Sequence, residues 1–388
     1  MKTYDVLVIG AGIQGAGVAQ AAAALGYRVL ILEQFEQPAQ GTSSRSSKLI
    51  HGGLRYLETG QFALVKECLQ ERHRLLHNAP HLVHMLPFYI PVYEQSHYSA
   101  WKITLGLSIY SLFSQKPFKR IPKTNWSSLN GLKKAGLKAV FQYYDAQTDD
   151  SALTRAVLKS ALYMDATIHY NANFENAEIK EPYCLARYQR QSATHTIRAH
   201  TIINAAGPWV TQITKKIPLS QPQPTIELVQ GTHIEVPQPK LHQGNGIYYL
   251  EAPQDHRAVF VMPWKNHLLL GTTETLYTGD PAKVAPLEKE IRYLLNVYNH
   301  YFTPPLHRSD VMNAFAGLRV LPKGEGKAFS RPRDTMIVGN TPVNPRILTL
   351  YGGKLTSYRA TAEQVLKKLR PVLPKPSKQV NTRTLRLP

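Results

Sequence analysis

Residues 41–57, GTSSRSSKLIHGGLRYL, hold the densest run of side chains in this chain that could take part in chemistry. The small hydroxyl residues at its start suit a loop lying along a bound ligand, because their hydroxyl and N–H groups can donate to phosphate and polyol oxygens. His51, Arg55 and Tyr56 follow a few positions later. His51 and Arg55 are four residues apart, so they share a face if this turn is helical. Taken alone, the segment is also typical of a basic surface turn.

Residues 5–33 combine the parts of a dinucleotide-binding unit in the required order. An apolar strand, residues 5–9, is followed by the glycines Gly10, Gly12 and Gly15, then by an alanine-rich helix, a second strand and Glu33. Gly10 allows a tight turn, Gly12 lets the backbone approach a pyrophosphate, and Gly15 lets the helix pack on the strand. The free N–H groups at the helix start would face the phosphates, and Glu33 can accept hydrogen bonds from a ribose.

A second segment favours FAD over NAD as the dinucleotide. Residues 201–209, TIINAAGPW, form a strand that breaks into small residues far along the chain. Such a break at Ala205 and Gly207 lets the backbone approach the cofactor a second time, which one-domain NAD enzymes rarely need. The position of the glycine pattern at the very start of the chain also favours FAD, although this is a habit of protein families and not a physical requirement.

Size and charge limit the function classes. The 388 residues suit two interleaved domains. With 46 Lys and Arg against 26 Asp and Glu, the net charge of +20 implies an anionic partner: nucleic acid, anionic lipid or a phosphorylated substrate.

Cys68 and Cys184 lie far apart and are expected to be reduced thiols. We expect no secretory signal, and no apolar run is long enough to span a membrane, so any membrane contact should be peripheral.

The positive charge is concentrated in residues 95–144, which contain eight Lys and Arg and no acidic residue. An apolar, aromatic-bearing helix at 101–113 precedes a basic cluster, Lys116, Lys119, Arg120 and Lys123. This composition is typical of a helix lying in a membrane interface, where each basic residue contributes about 1 kcal/mol near an anionic leaflet. The alternative is a buried helix with a solvated basic loop. Nucleic-acid binding is not expected, because the segment carries aliphatic residues more than stacking aromatics.

Residues 42–58, TSSRSSKLIHGGLRYLE, resemble the signature of the FAD-dependent glycerol-3-phosphate dehydrogenases of the aerobic type. The resemblance runs from about residue 4 to 370. The chain departs from that family at Glu274, where aspartate is usual, and at Val320, where proline is frequent. It resembles a short form that lacks the family's C-terminal helical domain. Further matches follow in order at 204–210 (NAAGPWV), 231–234 (GTHI), 261–264 (VMPW), 271–274 (GTTE), 293–299 (YLLNVYN), 317–319 (GLR) and 351–359 (YGGKLTSYR).

The resemblance implies an α/β fold: a Rossmann-like FAD-binding domain of the glycine-oxidase and amino-acid-oxidase kind, with an inserted substrate domain on a mixed sheet. We assign 1–85, 150–215 and 308–370 to a discontinuous FAD-binding domain. Segments 86–149 and 216–307 are assigned to a substrate and membrane-facing domain, and 371–388 to a loose basic tail. Strand-like runs at 88–93, 230–236, 258–262 and 267–270 fit this fold. A helix capped by residues 149–151 should start near Ala152.

The resemblance also implies an activity. The chain would oxidise sn-glycerol 3-phosphate to dihydroxyacetone phosphate by hydride transfer to FAD, and electrons would pass to a membrane quinone. The protein would then be cytoplasmic and attached to an anionic lipid surface at the inner face of the cell membrane, and a homodimer is a further partner to consider. The alternatives are a glycerol-3-phosphate oxidase using O2, an amino-acid-oxidase-like flavoenzyme, and a non-catalytic membrane protein of the same fold.

Site residues follow from the same motifs. Arg55, Tyr56 and Lys354 would hold the phosphate, since charge-assisted hydrogen bonds are the strong ones. Arg319 would stabilise alkoxide character at C2. His233 is the candidate general base and His51 its rival. No metal site is expected. The cofactor contacts would be Gly10, Gly12, Gly15, Glu33, Thr42, Ser43, Ser47, Lys48, Leu49, Ala205, Gly207, Trp209, Gly317, Gly353, Lys354, Leu355 and Thr356.

Overall fold

The structure, a computed structural model, describes residues 1–129, 131–238, 246–324 and 334–388. Positions 239–245 of the predicted substrate segment and 325–333 of the predicted FAD segment lie outside the described residues. Within the described ranges no helix is both long and apolar enough to cross a membrane.

The described ranges contain seven α-helices and eighteen β-strands. The helices are α1 (Ile13–Ala24), α2 (Phe62–Asn78), α3 (Ala100–Ser114), α4 (Asp150–Leu162), α5 (Val210–Thr214), α6 (Glu288–Tyr301) and α7 (Tyr358–Leu369). The strands are β1 (Thr3–Ile9), β2 (Val29–Leu32), β3 (Leu49–Ile50), β4 (Val83–Tyr93), β5 (Lys119–Arg120), β6 (Leu137–Thr148), β7 (Thr167–His169), β8 (Ala172–Lys180), β9 (Tyr183–Arg190), β10 (Ala193–Asn204), β11 (Ile226–Pro237), β12 (Ile247–Glu251), β13 (Ala258–Trp264), β14 (His267–Gly271), β15 (Thr275–Tyr277), β16 (Asn313–Pro322), β17 (Met336–Gly339) and β18 (Ile347–Tyr351).

The first sheet has the order β17-β18-β10-β1-β2-β7 and is parallel from β18 to β7. Its central strands are buried on both faces, so alternate residues enter different cores. Val6 and Val8 pack with α1, α4 and α7, whereas Leu7 and Ile9 pack with β8 and β9. Helix α1 fits between its neighbours because its residues are small: a Cβ on Gly17 would lie 2.6 Å from the Tyr358 ring. This sheet forms the Rossmann-like part of the fold.

The second sheet is mixed, with the order β15-β11-β14-β13-β12-β4-β6-β3, and β16 pairs with β11. Strand β12 is parallel to β4, whereas β4 and β6 are antiparallel over eleven registered pairs. The predicted α/β class with an additional mixed sheet is confirmed, as are the four strand-like runs, which lie within β4, β11, β13 and β14. Strands β3 and β16 come from segments assigned to the FAD-binding domain and pair into this sheet, so the domain division stays a prediction.

The start of α4 agrees with the sequence. Asp149 is the N-cap residue, and its carboxylate accepts a hydrogen bond from Ala152 N at 2.9 Å. This cap turns the chain from β6 of the mixed sheet back to the parallel sheet.

The expectation of a loose tail at 371–388 is wrong. Ser377 N and Lys378 N both donate to Leu25 O at 3.1 Å, and Val380 N donates to Ala24 O at 2.9 Å. The acceptors are carbonyls at the end of α1, which have no partner inside their own helix. The composition of the tail does not show this pairing, because its partners lie about 350 positions earlier in the chain.

Candidate functional site

A cavity of about 440 Å³ is lined by residues from both sheets. Ile9 and Leu32 end two parallel strands of the first sheet there, and His233 and Phe260 come from the mixed sheet. Ligands of open α/β sheets bind outside the carboxyl ends of the strands, so this is the expected place for a site.

The glycine turn after β1 forms one wall. Gly10 has φ +101°, and a Cβ there would lie 2.8 Å from Ala205 O. A Cβ on Gly15 would lie 1.9 Å from Gly10 O, so Gly15 serves helix packing and does not line the cavity. Glu33 accepts hydrogen bonds from Ala11 N at 2.7 Å and from Phe35 N at 3.1 Å. Burial raises the pKa of the Glu33 carboxyl, and these N–H groups oppose that rise.

The hydroxyl-rich segment forms the next wall, at Thr42, Ser43, Ser47 and Leu49. Thr42 Oγ1 donates to Leu318 O at 2.6 Å, and Ser43 Oγ accepts from Ile13 N at 2.9 Å at the start of α1. These hydroxyls tie the loop to α1 and β16. Lys48 does not line the cavity.

Lys48 is instead part of a buried ion pair. Its ammonium lies 2.6 Å from Asp150 Oδ1 and donates to Ser44 O at 2.6 Å. The Asp150 carboxylate also accepts hydrogen bonds from the Ser46 N–H and hydroxyl. The pair therefore fixes the hydroxyl-rich segment to the start of α4.

A third wall comes from distant segments of the chain that contain several small residues. A Cβ on Gly207, which has φ +53°, would meet no atom within 4 Å. Gln14 Nε2 donates to Lys354 O at 3.1 Å, whereas the buried Gln14 Oε1 has no hydrogen-bond partner in the described part of the chain. The predicted cofactor contacts that line this wall are Ala205, Gly207, Trp209, Gly317, Gly353, Lys354, Leu355 and Thr356.

His233, on β11, lies at the mixed-sheet side of the cavity and is 2% exposed. Its Nε2 lies 2.9 Å from Ser47 Oγ, and its ring stacks on Phe315. Burial lowers the pKa of His233 to about 3, with the positive charges of Arg319 and Lys48 adding to the effect. The imidazole is therefore neutral near pH 7, and one of its ring nitrogens can accept a hydrogen bond.

Two arginines and one glutamate lie together in the cavity wall. Arg319 donates to Glu274 Oε1 at 2.8 Å and to Thr272 Oγ1 at 3.1 Å. Arg257 lies 3.7 Å from the other oxygen of Glu274 and is bonded to Asp255 at 2.7 Å. The sequence indicated Arg319 but missed Arg257, because a single arginine before an apolar strand has no distinguishing pattern.

The segment that carries the remaining predicted residues faces the same space. Gly53 has φ +77°, and a turn at Leu54–Leu57 follows it. The Lys354 ammonium lies 4.0 Å from the centroid of the Tyr56 ring, and its buried Nζ finds no hydrogen-bond acceptor within the described ranges. His51 and Arg55 also line the cavity. Arg55, Lys354, Arg257 and Arg319 thus line the same cavity, an arrangement suited to a small anion.

The described residues include no group of three or more His, Cys, Asp or Glu side chains that could hold a metal ion.

Comparison with known proteins decides the family. The model of the DAO family, FAD dependent oxidoreductase, matches residues 5–365. This chain belongs to that family.

The relatives of this FAD dependent oxidoreductase agree with the resemblance seen in its motifs. Glycerol-3-phosphate dehydrogenase from Pseudomonas aeruginosa is 39% identical over 95% of this chain and 72% of the relative. D-erythritol 1-phosphate dehydrogenase from Brucella abortus is 37% identical over 96% of this chain and 75% of the relative. The FAD complex of a Bacillus halodurans glycerol-3-phosphate dehydrogenase superposes with a TM-score of 0.75 at 27% identity, over 100% of this chain and 68% of that chain. The predicted relationship to FAD-dependent glycerol-3-phosphate dehydrogenases is confirmed.

The walls of the cavity fit FAD. Gly10 and Gly12 leave the backbone open before α1, and Glu33 stands at the end of β2 where a ribose would lie. The buried, unpartnered Gln14 Oε1 and Lys354 Nζ provide polar atoms to which the protein itself offers no partner in the described ranges. FAD would thus be held by the glycine turn, the 42–49 segment and the 352–356 segment.

Proposed function

We propose that this chain oxidises sn-glycerol 3-phosphate to dihydroxyacetone phosphate. The observation that carries the proposal is the convergence of Arg55, Lys354 and Arg319 with a neutral His233 in a cavity that also contains the dinucleotide-binding turn. The names of the Pseudomonas and Bacillus relatives support this substrate.

Cationic side chains would bind the substrate phosphate. Arg55 and Lys354 supply the charge, and both lie against the ring of Tyr56, whose hydroxyl would be a further donor. A planar guanidinium can bind two phosphate oxygens at once, whereas an ammonium acts as a point charge. Together they would hold the phosphate end of the substrate.

Arg319 and His233 would act at the C2 hydroxyl. Arg319 is held by Glu274 and Thr272, so its guanidinium is positioned before substrate arrives. It would stabilise negative charge as it develops on the C2 oxygen. His233 would accept the hydroxyl proton at Nε2, directly or through Ser47. Because burial and the charges of Arg319 and Lys48 lower its pKa to about 3, this role requires the anionic substrate to offset those charges and raise the pKa. His51 remains the rival base.

Bound FAD supplies a two-electron acceptor for the hydrogen on C2. The aromatic side chains of Phe88, Tyr143, Tyr249 and Phe260 line the cavity and would exclude water from the reacting atoms. A dry site strengthens the charge interactions on which the proposed roles depend.

Steady-state kinetics with a soluble electron acceptor test the substrate. We expect kcat/KM for sn-glycerol 3-phosphate to exceed that for D-erythritol 1-phosphate, the substrate named for the Brucella relative. Arg55→Ala should raise KM or abolish turnover while FAD stays bound. A higher kcat/KM for the four-carbon substrate would contradict the proposal and favour an erythritol-phosphate enzyme. An unchanged KM in Arg55→Ala would contradict the phosphate assignment.

The electron acceptor that we propose is a membrane quinone. Support comes from helix α3, whose apolar outer face would bring the protein to the place where quinones are found. Turnover with a soluble quinone analogue should exceed peroxide formation in air. Equal or faster peroxide formation would favour an oxidase.

We propose that α3 and the basic cluster after it form a membrane-binding surface. Trp101, Leu105 and Leu112 are 65%, 56% and 76% exposed, and α3 buries only Leu107 and Tyr110 fully. The cluster that continues this surface, Lys116, Lys119, Arg120 and Lys123, is exposed too. Apolar side chains would enter the interface while the cations bind anionic headgroups. The protein would then lie at the cytoplasmic face of the cell membrane.

Vesicle sedimentation tests this surface. Substitution of Lys116, Lys119 and Arg120 by serine should weaken binding to anionic vesicles without changing turnover on a soluble acceptor. As a control, substitution of Lys180, Lys215 and Lys289 by serine removes the same charge from other parts of the surface. This control variant should bind anionic vesicles as the wild type does. If both variants bind alike, the basic cluster is not the binding surface. Light scattering of the same samples tests the predicted homodimer.

A further inference from the structure

Tyr110 is a buried residue of the surface helix α3 that reaches the segment carrying Arg55 and Tyr56. Its hydroxyl donates to Asp145 Oδ2 at 2.6 Å and accepts from Gly52 N at 2.9 Å. Asp145 is also paired with the buried Arg72 of α2. The hydroxyl therefore connects α2, α3 and β6 to one backbone N–H next to His51.

Gly52 is held tightly at this point. A Cβ on Gly52 would lie 2.7 Å from both the Tyr110 hydroxyl and the Leu69 side chain. His51 N, one residue earlier, donates to Thr356 Oγ1 at 3.3 Å. Directly after this anchor, Gly53 takes a left-handed conformation and the Leu54–Leu57 turn begins. The turn that carries Arg55 and Tyr56 therefore begins directly after two hydrogen-bonded backbone N–H groups, those of His51 and Gly52.

We propose that Tyr110 is a positioning residue: its hydroxyl fixes Gly52 and thereby sets the places of Arg55 and Tyr56 in the cavity. The proposal rests on the proposed function in one respect, namely that Arg55 and Tyr56 contact the substrate.

The chemistry of the hydroxyl supports this role. Complete burial raises the pKa of Tyr110 well above its usual value, so the group stays protonated and keeps both its donor and its acceptor function. In Tyr110→Phe the ring remains, and with it the edge-to-face contact with Tyr143 at 5.6 Å. Only the atom between Gly52 N and Asp145 is lost. The Gly52 N–H also interacts with the Asp145 carboxylate, so it would keep that acceptor alone, and the loss of one of its two acceptors displaces or loosens the turn.

The expected kinetic result is a rise in KM without a matching fall in kcat. Phosphate contacts act equally on the bound substrate and on the transition state, and loss of such uniform binding raises KM alone. For Tyr110→Phe we expect KM for sn-glycerol 3-phosphate to rise about tenfold, equivalent to ~1.4 kcal/mol, with kcat changed less than about twofold. The absorbance spectrum of bound FAD should not change.

Tyr93→Phe is the matched control. The Tyr93 hydroxyl is also buried and donates to Lys133 O at 2.5 Å, but Tyr93 does not line the cavity or contact the turn. The Tyr93→Phe protein should lose about as much stability as the Tyr110→Phe protein, but its KM for sn-glycerol 3-phosphate should equal that of the wild type. Equal KM values for the two variants would show that Tyr110 has only a structural role.

Hydrogen exchange followed by mass spectrometry tests the same idea without turnover. In the FAD-loaded full chain, amides of residues 52–57 should exchange faster in Tyr110→Phe than in wild type or Tyr93→Phe. Unchanged exchange overturns the proposal, as does faster exchange with an unchanged KM. If glycerol 3-phosphate does not reduce the flavin of the wild-type protein, the proposed function is wrong. Hydrogen exchange at Gly52 would still show whether Tyr110 holds the turn.

Discussion

Replacement of Arg319 by methionine should damage stability and activity for two different reasons. The Glu274 side chain is only 8% exposed and would lose its partner at 2.8 Å, keeping Arg257 at 3.7 Å. Removal of one member of a buried ion pair costs about 3–5 kcal/mol. Because Arg257 remains, we expect a loss near the lower end, about 3 kcal/mol, out of a total stability on the order of 5–15 kcal/mol.

The double variant Arg319→Met/Glu274→Gln separates the two effects. With the charge of the Glu274 carboxylate removed, the free energy of unfolding should return to within about 1 kcal/mol of the wild-type value. Activity should not return, since the loss of a donor to the developing oxyanion lowers the rate about 10²–10³-fold.

Urea unfolding and kcat/KM, measured on both variants, test this reasoning. Both should show the same large loss of kcat/KM, whereas only the single variant should be strongly destabilised. If the double variant is as unstable as the single one, the charge of Glu274 is not the cause. If Arg319→Met keeps wild-type kcat/KM, Arg319 does not act at the reacting oxygen.

Two further results are expected. The pKa of His233 is about 3 in the folded protein, which is below the value of about 6.5 in the unfolded chain. As the pH falls below about 6.5, His233 therefore binds a proton in the unfolded chain but not in the folded protein. This group's contribution therefore reduces stability by up to ~1.4 kcal/mol per pH unit as the pH falls toward the folded pKa. His233→Asn should show a smaller fall in Tm between pH 7 and pH 5 than wild type, and equal slopes would count against the burial argument. Gly15→Ala should abolish FAD retention, because the added Cβ would lie 1.9 Å from Gly10 O. The control Gly106→Ala, at a helix position with open space, should leave FAD bound. If the Gly15→Ala protein keeps its FAD, the packing argument is contradicted.

Features that depend on neighbouring residues could be predicted from the sequence. The strand, glycine turn, helix, second strand and the Glu33 that follows it lie within 33 residues, and each part has its own local pattern. The cap at Asp149 is equally local. The apolar helix at 101–113 was recognisable by composition, but which side chains it exposes depends on its packing against α2 and β6.

Features that depend on distant pairing could not be predicted. Glu274 meets Arg319 because β16 pairs with β11 and β11 with β14, and it meets Arg257 because β13 pairs with β14. Lys48 was assigned to the cofactor from its motif, but its ion-pair partner Asp150 lies about a hundred positions away. Tyr110 offered no signal, since a tyrosine in an apolar helix is typical of ordinary core packing.

Anaerobic titration of the FAD-loaded protein with sn-glycerol 3-phosphate, followed at the flavin absorbance band, tests the central claim most directly. We predict saturable bleaching of the band in wild type and a large rightward shift of the titration in Arg55→Ala. A band that stays unchanged at saturating glycerol 3-phosphate, or that bleaches equally in both proteins, would contradict the account of an anion held by Arg55 beside the flavin.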